Sequence, residues 1–71
     1  MMLVEIKTDF IKDYMINNNL TKTKFSKLVH ISNKTFDKFM NGEKVGVFTA
    51  LRIAAYLEVE DKTVFDWNYN N

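Results

Sequence analysis

The chain has 71 residues, 46% hydrophobic and 14% aromatic, with no cysteine, no proline, one histidine and a net charge of +1. That suits a single domain over residues 1–71 with one small core, stabilised by apolar burial without a disulfide or a thiolate metal site, and it excludes a disordered tail. A lone histidine does not make a zinc ligand set, and no apolar run approaches the roughly 20 residues of a membrane span.

The opening MMLVEIKTDF lacks the basic-then-apolar layout of a secretory signal, so a cytoplasmic location is expected. Met2, Val4 and Ile6 alternate as in a short strand. Phe10, Ile11, Tyr14 and Met15 then repeat at helical spacing behind Thr8, read as a cap, and Asp9, a first-turn acid, which predicts a helix over about 9–18. Asn17, Asn18 and Asn19 end it, because asparagine competes for backbone hydrogen bonds and tolerates left-handed geometry.

Thr21 is placed to cap a second helix over 22–29 with an apolar face of Phe25, Leu28 and Val29. Ser26 is small enough to let a neighbouring helix approach. Ser32 caps a third helix over 33–41 by accepting from the amide of Lys34 or Thr35. That helix buries Phe36, Phe39 and Met40 and turns Asn33, Lys34, Asp37, Lys38 and Asn41 outward. Both glycines lie in NGEKVG at 41–46, the one strong break in the chain.

A fourth helix over 47–57 follows, with a stripe of Val47, Ala50, Leu51, Ala54 and Leu57 flanked by Phe48, Ile53 and Tyr56. Two readings compete for the stretch 61–69. Asp61 as a cap with Val64 and Phe65 buried makes a short helix, whereas alternation at Phe65, Trp67 and Tyr69 makes a strand that pairs with the other end of the chain. The fold class is all-α, a compact bundle of four to five helices, with short strands at the two termini as the open addition.

Charge is unevenly spread. Six lysines (22, 24, 27, 34, 38 and 44) against Asp37 and Glu43 give residues 21–44 a charge of +4, leaving −3 for the remainder. Such polarisation suits a polyanionic partner better than the net value suggests. Enzymes are disfavoured, since there is no activated serine or cysteine, no phosphate-cradling glycine loop and one histidine. His30 reads as a turn residue rather than a ligand or base, and no cofactor is expected.

The run Leu20, Thr21, Lys22, Phe25, Ser26, Ile31, Ser32, Phe39, Asn41, Gly42, continued by LRIAAYLEV at 51–59, resembles the lambda-repressor-like helix-turn-helix family, the Cro and xenobiotic-response-element class of transcriptional regulators. Three positions depart from its usual pattern: His30 stands where glycine is common, Ser26 where alanine is, and Met40 where glutamate is. The resemblance implies a sequence-specific regulator of double-stranded DNA, read as a repressor, whose third helix enters the major groove. Asn33, Lys34, Thr35 and Lys38 would then face base edges, and Lys22, Thr23, Asn41 and Lys44 would meet phosphates. Asp37 would accept from cytosine, or else hold Lys34 or Lys38 in place.

A homodimer is expected, because one module this small covers only a few base pairs, and Phe48, Trp67, Tyr69 and Tyr56 are its candidate interface. No small-molecule ligand is evident. The alternative function is a helix-turn-helix module that docks a protein, as an antitoxin or accessory subunit does. The outward residues of the third helix argue against it, since they lack the aromatic or arginine anchors of a strong protein interface.

Overall fold

The computed structural model describes residues 2–67. Five helices and a two-stranded sheet follow in the order β1 (Leu3–Val4), α1 (Thr8–Asn17), α2 (Lys22–Leu28), α3 (Asn33–Met40), β2 (Val45–Gly46), α4 (Val47–Leu57) and α5 (Asp61–Val64). The chain is mainly helical, as its periodicity predicts.

Caps set where the second and third helices begin. The Lys24 amide donates to Thr21 Oγ1 at 3.2 Å, and the Thr35 amide donates to Ser32 Oγ at 3.0 Å. Thr8 does not cap α1. It is the first helical residue, and Lys7 precedes it with no side-chain cap bond, its ammonium engaged instead by the Lys62 carbonyl and Asp66.

The four longer helices end alike. A residue at positive φ, namely Asn19 (53°), His30 (59°), Gly42 (86°) or Glu58 (58°), turns the chain at each end. The next amide then reaches back five residues: Leu20 to the Met15 carbonyl, Ile31 to Ser26, Glu43 to Lys38 and Val59 to Ala54, all between 2.9 and 3.1 Å. This left-handed closure satisfies carbonyls that a helix terminus would otherwise leave open.

The core is one cluster drawing on every element. An aromatic chain crosses it, with Tyr14 of α1 6.4 Å from Phe25 of α2, Phe25 5.7 Å from Phe36 of α3, and Phe36 5.4 Å from Phe39. These edge-on contacts lie within the range where aromatic pairs add to simple burial, and they fix how α3 lies on α2. Four expected placements differ, the first being Met40 of α3, which is only partly buried. Leu28 is 39% exposed while Val29 is fully buried, because α2 ends at Leu28 and the turn carries Val29 inward. Ile53, expected on the flank of α4, is fully buried, and Leu51 of the expected stripe is only partly so.

Each reading of the C-terminal stretch holds in part: Val64 and Phe65 are buried, but Asp61 is the first helical residue and not the cap, Glu60 preceding it with no side-chain cap bond, and of the alternating residues it is Phe65 that forms a strand bridge. Asp61–Val64 is one helical turn, and Phe65 then leaves it extended to form an antiparallel bridge with Ile6, beside a 2.7 Å bond from the Lys7 amide to the Val64 carbonyl. The two ends meet at that bridge and through the Lys7 ammonium, which reaches the Lys62 carbonyl and Asp66. The strand proper pairs elsewhere: Leu3 faces Gly46 and Val4 faces Val45, antiparallel. The Val47 amide extends this ladder to the Met2 carbonyl at 2.9 Å, so the N-terminal strand also receives the first amide of α4. Tyr69 lies outside the described residues.

Candidate nucleic-acid interface

The aromatic inner face of α3 leaves its opposite side outward. Asn33, Lys34, Asp37, Lys38 and Asn41 are all exposed, spaced as one helix face requires. Lys34 and Lys38 have no ion-pair partner among the described residues. Thr35 is set apart from them. It is half-buried, and its hydroxyl accepts from Ser32 Oγ at 3.1 Å, so it is tied to the cap.

The start of α2 reaches this face twice. Asn33 Nδ2 donates to Thr23 Oγ1 at 3.4 Å, and Lys22 Nζ lies 3.1 and 3.3 Å from the two Asp37 carboxylate oxygens. The expectation that Asp37 holds Lys34 or Lys38 is therefore corrected. A neighbour along one helix has a short path to such a carboxylate, but here the packing of α2 on α3 brings in a lysine 15 positions away. Nothing in the spacing of Lys22 and Asp37 marks them as partners.

The four residues expected to meet phosphates lie on three segments: the start of α2, the C-terminal end of α3 and the loop before β2. Lys22 and Thr23 are engaged with α3 as just described. Asn41 is exposed at the C-terminal cap of α3. Lys44, in the loop before β2, lines a surface groove with Glu5, Lys7, Asp9 and Asp66. Lys24 and Lys27, on the solvent side of α2, are further exposed cations without an ion-pair partner among the described residues.

The connection between α2 and α3 is held from outside. Arg52 of α4 donates to the His30 carbonyl at 3.1 Å, and the His30 ring lies 4.5 Å from that of Tyr56. His30 thus acts as a turn residue with left-handed backbone, as expected, and gains a stacking partner that the sequence does not reveal. Of the candidate association residues, Phe48 is 73% exposed and Tyr56 and Trp67 are partly so, with the Trp67 ring 5.0 Å from that of Phe65. Leu3 and Ile16 are further exposed apolar residues that the periodicity does not single out.

Among the described residues no group of three or more histidines and carboxylates is arranged to hold a metal ion. No helix among them is long and apolar enough to cross a membrane. Comparison with family models, with curated proteins and with solved structures finds no match for this chain.

Proposed function

We propose that the chain is a sequence-specific double-stranded DNA-binding protein, a helix-turn-helix transcriptional regulator acting as a repressor, with α3 as the helix that enters the major groove. The observation that carries this reading is the outward face of α3, where Asn33, Lys34 and Lys38 are exposed on a helix anchored through Phe36 and Phe39. Base readout needs donors and acceptors on a rigid rod narrow enough for the groove, and these side chains supply them: asparagine suits adenine, and lysine suits the guanine acceptors. The +4 charge of residues 21–44 supports the same partner, since lysines around such a helix supply the phosphate contacts that hold it in register.

Selection of binding sites from a random duplex pool tests this. The protein is expected to enrich a defined sequence, and Lys38→Ala is expected to relax preference at one base position, costing about 1–3 kcal/mol there. Equal losses on all sequences would reassign Lys38 to the phosphate backbone. Failure to enrich any sequence or to bind duplex at low salt would leave the protein-docking reading in its place.

A further inference from the structure

Resting on the duplex-binding reading above, we infer that Asp37 is a base-specificity residue that reads cytosine, and that Lys22 serves as its counter-ion rather than as a phosphate anchor. Asp37 is the one anion on the outward face of α3, one turn along from Asn33 and adjacent to Lys38. A bare carboxylate there would repel a partner that carries one negative charge per roughly 1.7 Å of duplex. Lys22 removes that repulsion from a separate element. Its ammonium spans both carboxylate oxygens, at 3.1 and 3.3 Å, and leaves Lys34 and Lys38 uncommitted.

A second contact assigns the start of α2 the same task. Thr23, the residue after Lys22, accepts from Asn33, so two consecutive side chains of α2 are spent on orienting outward side chains of α3. The pair still leaves Asp37 able to act. Its side chain is 55% exposed, and an ionised carboxylate has about four acceptor sites, of which the lysine occupies two. In the major groove cytosine offers the N4 amino group, which aspartate accepts from; adenine sets its N6 amino donor beside the N7 acceptor, while guanine with O6 and N7, and thymine with O4, turn only acceptors toward it. Asp37 therefore selects by attraction at one position and rejects two competing bases by repulsion.

The experiment uses the full chain as wild type, Asp37→Ala, Lys22→Ala/Asp37→Ala, and a random duplex pool, followed by titrations against salt on the selected duplex and on a scrambled one. Asp37→Ala is expected to lose preference for one C·G pair by about ten- to a hundred-fold. The same variant is expected to bind the scrambled duplex more tightly, with a log–log salt slope steeper by about one per subunit, because Lys22 is freed for a phosphate. In the double variant, scrambled-duplex affinity and slope return to the wild-type values while the cytosine preference stays lost.

Cytosine preference that survives in Asp37→Ala overturns the inference. So does a double variant that keeps every base preference but has a slope shallower by about one per subunit, the signature of a lost phosphate anchor. Either result leaves DNA binding itself standing. A wild-type protein that enriches no sequence and binds neither duplex overturns both this inference and the reading beneath it.

Discussion

Ser26 carries the one buried side-chain oxygen among the described residues that has no hydrogen-bond partner, in a residue only 2% exposed. Its size suits a helix that must lie close to a neighbour, but its hydroxyl loses water and gains nothing in return. Ser26→Ala keeps the volume nearly unchanged and removes that desolvation cost. It is expected to raise unfolding stability by about 1 kcal/mol, read as a higher urea midpoint at unchanged m-value. Caps behave oppositely, because their hydroxyls bond amides the helix cannot satisfy itself. Ser32→Ala is expected to lower stability by about 1 kcal/mol and also frees Thr35, whose hydroxyl the same serine holds. Both serines were legible in the sequence, one as a small crossing residue and one as a cap, since caps act over three residues. The Lys22–Asp37 and Arg52–His30 contacts were not legible, because one depends on how two helices lie against one another and the other on how α4 lies against the turn between α2 and α3, and spacing carries no trace of either.

The repeated helix ending defines the element scale, and only one of its four left-handed positions is glycine. A side chain in that backbone region costs roughly 1–2 kcal/mol, least for asparagine. Glu58, with an exposed side chain and no ion pair among the described residues, therefore carries strain without evident return. Glu58→Gly is expected to stabilise by about 0.5–1 kcal/mol after allowing for glycine's greater freedom in the unfolded chain. His30→Gly is expected to gain less, since the relief is offset by loss of the ring contact with Tyr56. Thermal unfolding of the two variants side by side checks the difference, and equal gains would show the ring contact to be idle. Asn19, His30 and Gly42 were readable as turn residues, but Glu58 was not, because nothing about glutamate announces a helix end. The sheet was half readable. Alternation over Met2, Val4 and Ile6 marked a segment that pairs at Val4, in the strand, and at Ile6, in the bridge to Phe65, whereas the partner strand Val45–Gly46 is too short to show any period.

At the scale of the whole molecule, the polarised charge and the exposed apolar residues make linked demands. If about four phosphates are neutralised per subunit, a dimer on duplex DNA has a log–log salt slope of roughly −7 and a monomer about half that. Five lysines of residues 21–44, all except Lys22, have no ion-pair partner among the described residues; with Lys34 and Lys38 turned to base edges, Lys24, Lys27 and Lys44 supply three such contacts and a fourth needs one of that pair or a neutral donor such as Asn41. Phe48 sits at the start of α4 with most of its ring in solvent, which makes it the residue whose removal reads association most cleanly. Phe48→Ser takes nothing from the core, so unfolding stability measured at dilution is expected to change by less than about 0.5 kcal/mol. If two copies associate through that face, the same substitution lowers the mass seen by sedimentation and brings the salt slope from roughly −7 toward half that value. The charge reading and the dimer reading then separate: a slope near −7 that survives Phe48→Ser removes Phe48 from the interface while leaving the phosphate contacts in place. A wild-type slope near half that value, with monomeric mass, means that one α3 alone carries whatever specificity the protein has.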